Sequence, residues 1–88
     1  EIKQPDIRSL EGGWHIIEGS ASIRDINRSL EWELPTDGPK TLNGLMMEYL
    51  ETIPKGHISF TIAGYLFETQ TISSTMIESA RARVVIEQ

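Results

Sequence analysis

Short apolar runs separated by polar or glycine-rich breaks open the chain. Ile7 to Leu10 and Trp14 to Ile17 flank Glu11-Gly12-Gly13, and a Gly-Gly between two such runs predicts an antiparallel hairpin. Glu18-Gly19-Ser20 interrupts the second run, and Ser22 followed three residues later by Asp25 predicts the capped start of a helix. Ile23, Ile26 and Leu30 then share one face, so a first amphipathic helix is expected over 22–30, with Trp32 and Leu34 carrying apolar contacts into the loop before Pro35. Beyond the turn signal Asp37-Gly38-Pro39, the residues Leu42, Leu45, Met46, Tyr49, Leu50 and Ile53 form a single helical stripe, the strongest periodic signal in the chain. Thr41 is its natural N-cap and Pro54-Lys55-Gly56 its stop. Gly44 weakens a helix interior, so it is expected to admit close approach of a neighbouring element.

Past Gly56 the period changes to two. Ile58, Phe60 and Ile62 alternate with Ser59 and Thr61, Ala63-Gly64 turns the chain, and Tyr65, Phe67 and Thr69 return it as a second hairpin. After the polar turn Ser73-Ser74-Thr75, a last strand carries Ile77, Ala80, Ala82, Val84 and Ile86, and the step from Ile77 to Ala80 predicts a bulge. Strands, then helices, then strands again imply an α+β fold, a mainly antiparallel sheet with two helices packed on one face. Residues 1–6, polar and containing Pro5, read as a linker or arm, and 7–88 as one domain.

Composition narrows the function classes. A chain of 88 residues has room for one core, and the absence of cysteine excludes disulfides and thiolate metal sites. A formal net charge of -5 argues against nucleic acid and against an anionic membrane surface as partners. No apolar run approaches the roughly 20 residues needed to span a bilayer, so direct membrane insertion by this segment is not expected. The chain opens on Glu1 rather than Met and is expected to be a piece of a longer polypeptide.

Three ordered segments carry a family resemblance. Gly19-Ser20-Ala21-Ser22-Ile23-Arg24-Asp25-Ile26-Asn27 is followed by Leu34-Pro35 and Thr41-Leu42-Asn43-Gly44-Leu45 running to Ile53-Pro54, and then by Ile62 to Phe67 with Met76-Ile77. Together they resemble the CorC/HlyC transporter-associated domain over nearly the whole chain. The resemblance implies a fold of the FAD-binding/transporter-associated type and a place at the cytoplasmic face of the bacterial inner membrane. There the module would follow a multi-span membrane domain and a pair of CBS domains in one polypeptide. It also implies association with magnesium and cobalt transport or efflux. Ala80 and Ala82 are smaller than the pattern leads one to expect, which puts the packing of that strand, taken as an edge, in question.

The chemistry-bearing residues are few. Glu31, Glu33 and Asp37 cluster around the interhelix loop and form the best candidate for a weakly bound divalent cation through oxygen ligands. His15 and His57 could share a transition metal if their strands adjoined. Glu68 and Glu78 are a conceivable acid/base pair, but no nucleophile elbow or phosphate-cradling glycine loop is present, and no cofactor is expected. Catalysis is therefore not expected. Trp14 is assigned to the core. Trp32, between Glu31 and Glu33, admits both a core reading and an interdomain contact, and Arg24 and Arg28, one helical turn apart, are candidates to meet acidic surfaces on the CBS pair or on a second copy of the chain, as in a homodimer.

Overall fold

The computed structural model describes residues 6–85, so residues 1–5 of the expected arm and Ile86 lie outside the described residues. Strands β1 (Ile7–Ser9), β2 (His15–Glu18), β3 (Ser59–Ile62), β4 (Tyr65–Ile72) and β5 (Ile77–Val84) form one antiparallel sheet in the order β1-β2-β5-β4-β3. Helices α1 (Ile23–Leu30) and α2 (Leu42–Leu50) lie in the connection between β2 and β3. The last strand is therefore the centre of the sheet and not an edge. Ala80 and Ala82 are fully buried there, and their small side chains leave room for the larger residues beside them in the same rows, Ile17 opposite Ala80 and Phe67 opposite Ala82.

Alternation along paired strands divides the sheet into two faces. Ile17, Ala80, Ala82, Tyr65, Phe67 and Ile62 point to the covered face, where Ile23 and Ile26 of α1 and Leu42, Leu45 and Met46 of α2 complete the core. The expected bulge is present: Thr69 pairs with Ala80 but Thr71 with Ser79 and Ile72 with Ile77, leaving Gln70 and Glu78 outside the register.

Local chemistry explains where the elements begin and end. Ser22 Oγ accepts from the Asp25 N–H at 3.0 Å and Thr41 Oγ1 from the Gly44 N–H at 3.2 Å, so both expected N-caps operate. The second helix stops at Leu50, short of the expected run to Ile53. Glu51 takes a left-handed conformation at φ 66°, its N–H closes on the Met47 carbonyl, and β-branched Ile53 before Pro54 is disfavoured in a helix. The stripe shifts accordingly, with Met47 and Leu50 against the core and Tyr49 exposed on its flank, stacked on Phe60 at 5.5 Å.

Gly19 marks the tightest crossing in the fold. Its N–H donates to the Glu78 carbonyl at 2.7 Å and its carbonyl accepts from the Asn43 N–H at 2.8 Å. A Cβ placed on Gly19 would sit 2.1 Å from the Ile77 carbonyl oxygen, which no side chain can accommodate. Asn43 Oδ1 in turn accepts from the Ile77 N–H at 2.8 Å. The glycine after β2, the Asn after the second N-cap and the first residue of β5, one from each resembling segment, thus meet at one junction. At Gly44 the close neighbour is not another element, as expected, but the turn before its own helix: a Cβ there would press on the Pro39 ring carbon at 3.0 Å.

Candidate functional site

The loop between the helices is fastened to the sheet side chain by side chain. Asn27 clamps it, donating through Nδ2 to the Leu34 carbonyl at 3.0 Å and accepting the Leu34 N–H on Oδ1 at 2.9 Å. Trp32 stacks on Tyr65 with ring centroids 4.4 Å apart and meets His15 edge-on at 5.7 Å, while the Tyr65 hydroxyl accepts from the Glu33 N–H at 2.8 Å. Trp32 is 7% exposed, so of the two readings the core one fits this structure: the loop turns its ring under the sheet.

The expectation that Trp14 lies in the core is corrected. It precedes β2 in the same parity as Ile16, which faces away from Ile17 and the core, and its half-buried ring lies on the helix-free side of the sheet. The Arg81 guanidinium sits 4.2 Å from the Trp14 ring centroid and that of Arg83 5.6 Å from it. Arg81 is held in that position by its directly opposite neighbour Glu68, whose Oε1 receives both Nε and Nη2 at 2.8 Å. The expected Glu68 and Glu78 pair therefore does not form, because Glu68 is engaged with an arginine and Glu78 sits at the bulge.

The candidate metal residues are not brought together. Glu31, Glu33 and Asp37 are all exposed, and among the described residues no group of three or more His, Cys, Asp or Glu side chains is placed to hold an ion. Buried Trp32 and Leu34 anchor the loop between these carboxylates, and the backbone they fix keeps the acidic side chains from converging. His15 and His57 are not on adjoining strands, since β5 and β4 lie between β2 and the segment entering β3. His15 Nδ1 is hydrogen-bonded to Ser9 Oγ and His57 Nδ1 to the Thr69 carbonyl, each at 3.0 Å.

Of the expected interface residues, Arg24 joins Asp37 and Lys40 along a groove beside the start of α1. Arg28 lines a separate depression with Ile7 and Ser9 and pairs with Asp25 on its own helix. Sequence reasoning missed Arg8, Arg81 and Arg83 as a group. The signal was the alternation of Arg81 and Arg83 with Ala80, Ala82 and Val84, which assigns the arginines to the face opposite the alanines.

This geometry defines a small α+β domain, one sheet face covered by two helices and the other free of them, with its resembling segments joined at a structural junction. The chain belongs to the CorC_HlyC family, whose transporter-associated domain model matches residues 8–85. It is 41% identical over 69 residues, 78% of the chain and 16% of the relative, to a UPF0053 protein of Haemophilus influenzae. It is 35% identical over 76 residues, 86% of the chain and 18% of the relative, to the UPF0053 inner membrane protein YfjD of Escherichia coli. The chain thus spans about a sixth of the length of these curated relatives.

Solved structures agree. A functionally unknown conserved protein from Haemophilus influenzae matches at 35% identity and a TM-score of 0.85, covering 91% of this chain and 99% of that one. The same fold, at 22% identity and a TM-score of 0.79, is seen in the transporter-associated domain of a Xylella fastidiosa hemolysin in complex with Mg2+ and Mn2+, with 93% and 100% covered. It is seen again, at 18% identity and a TM-score of 0.79, in the transporter-associated domain of a CBS domain protein from Porphyromonas gingivalis, with 93% and 100% covered. Because these solved chains are covered to 99% or more, each folds as this one domain.

Proposed function

We propose that this domain is a non-catalytic regulatory and assembly module of a CorC/HlyC-type divalent cation transporter or efflux protein. The observation that carries the reading is the alignment of 86% of this chain with 18% of an inner membrane protein. In that setting the module lies at the cytoplasmic face and acts through contacts with a CBS pair and the membrane domain of the same polypeptide. Magnesium or cobalt is the transported ion. A coupling of about 1–3 kcal/mol between transporter states is enough for a docked domain to shift their populations, and a modest polar patch supplies that much. No helix among the described residues is long and apolar enough to cross a membrane, so attachment is assigned to the rest of the polypeptide.

The test is transport by the longer polypeptide with and without this domain. Removal is expected to change the dependence of Mg2+ flux on ion concentration while leaving measurable flux. Identical flux curves would remove the regulatory role, and complete loss of flux with normal membrane insertion would make the domain part of the transport machinery.

A second reading, a divalent-ion sensor, draws support from the Xylella fastidiosa relative in complex with Mg2+ and Mn2+. Saturable Mg2+ or Mn2+ binding by the isolated domain below millimolar concentration would favour it over docking alone.

A further inference from the structure

The helix-free face of the sheet does not have the composition of a surface made only to be wetted. One row across it reads Arg8, Ile16, Arg81, Glu68, Ser59 in direct register. The next pairs Arg83 with Leu66 and Leu66 with Thr61, and Trp14 lies under both Arg81 and Arg83. Ile16, Leu66 and Trp14 are half-buried, so apolar area stays open between the arginines. The chain as a whole carries -5, yet in these two rows three arginines stand around one carboxylate that is already engaged, and the exposed Asp6 and Glu18 lie one row further along the same face. Among the described residues neither Arg8 nor Arg83 has a carboxylate within salt-bridge reach.

Tryptophan and arginine together are the residue types that dominate protein interfaces. The arrangement adds preorganisation. Glu68 and the Trp14 ring hold the Arg81 plane, and Arg83 and Arg8 keep their N–H forks free for bidentate capture of carboxylates. Two copies meeting through this face would set arginine against arginine, which disfavours a symmetric dimer here.

We propose that this face is the domain's docking surface and that its occupant is a protein surface presenting carboxylates around an apolar contact. Such an occupant complements the positive charge of the two rows around Trp14, and five-sixths of the length of the curated relatives lies outside the matched segment and is available to supply it. The inference rests on the docking reading above and specifies the face that reading leaves open.

The experiment titrates the isolated, fluorescently labelled domain into the longer polypeptide from which this domain has been deleted, held in neutral phosphatidylcholine nanodiscs. Three proteins are compared: the unaltered domain, Arg8→Glu/Arg83→Glu, and Arg24→Glu/Arg28→Glu on α1. Arg8→Gln/Arg83→Gln serves as the milder pair should charge reversal lower the melting temperature. The expected result is binding that weakens with salt, falls about tenfold or more in the sheet-face variants and is retained in the helix variant. Binding lost in the helix variant and kept in the sheet-face variants would overturn the face while leaving docking in place. No binding by the unaltered domain would remove docking and this inference together. Arg8- and Arg83-dependent binding to phosphatidylglycerol vesicles would replace the protein occupant with a lipid surface.

Discussion

The Ile77 N–H donates to Asn43 Oδ1 at 2.8 Å, so the first residue of the central strand is satisfied by a helix side chain 34 positions earlier in the chain. The bond ties the start of β5 to α2, so the junction couples helix to sheet. Asn43→Leu keeps the approximate size and removes the acceptor, leaving a part-buried donor unpaired. A loss of about 1–3 kcal/mol is expected in urea unfolding, whereas Asn43→Asp keeps an acceptor and should lose less. Equal losses in the two variants would mean that the hydrogen bond carries no weight.

Gly19 should be the least replaceable glycine of the described chain. Gly19→Ala sets a methyl group 2.1 Å from a backbone oxygen, and backbone cannot swing aside as a flexible side chain can. The variant is expected to be destabilised by about 3 kcal/mol or more or to fail to fold. Gly56→Ala, where a Cβ meets nothing within 4 Å, should unfold within about 0.5 kcal/mol of the parent.

What was legible in the sequence was local. Both N-caps, both hairpin turns and the bulge in the last strand follow from residues within a few positions of one another, and all are present. Strand order was not legible, because placing β5 between β2 and β4 depends on contacts across the whole chain, and Ala80 and Ala82 read as a loose edge until that order is known. Trp14 was misplaced, and Trp32 left open, for a related reason. Trp14 to Ile17 is apolar at nearly every position, so alternation within the run cannot say which parity faces the core. The end of α2 was missed because a Glu, not a Gly, takes the left-handed cap. At the candidate metal residues of the interhelix loop, spacing in sequence did not become proximity in space.

The tight turn between β3 and β4 offers a gain in stability. Ala63 and Gly64 both have positive φ, 55° and 90°, the pattern of a type I′ turn, which strongly prefers Asn at the first position. Ala63→Asn should therefore stabilise the domain by about 0.5–1 kcal/mol and raise its melting temperature by roughly 2–8 °C. A lower melting temperature would show that the turn has another constraint.

Glu31, Glu33 and Asp37 are exposed and unconverged, so replacing all three with Gln, Gln and Asn should leave any Mg2+ or Mn2+ response of the melting temperature unchanged. Differential scanning fluorimetry at millimolar Mg2+ compares the two proteins directly. A shift present in the parent and absent in the triple variant would return the ion site to the interhelix loop.

Trp32 and Trp14 give the sharpest contrast, because the two residues differ in depth and not in kind. Trp32 is 7% exposed and joins His15 and Tyr65 in an aromatic stack that fastens the interhelix loop to the sheet. Trp32→Ala opens a cavity and frees that loop, with an expected loss of about 3–5 kcal/mol. For a domain whose whole stability is on the order of 0.05–0.15 kcal/mol per residue, that is enough to leave much of the population unfolded. Trp14 is half-buried on the open face and exchanges its contacts with Arg81 and Arg83 largely for water, so Trp14→Ala should lose about 1 kcal/mol. Urea unfolding of both variants, followed by far-ultraviolet circular dichroism so that the signal does not depend on either indole, measures the difference. Trp32→Ala should be the less stable by about 2 kcal/mol or more. The reverse order would put Trp14 in the core and leave the helix-free face without its aromatic centre.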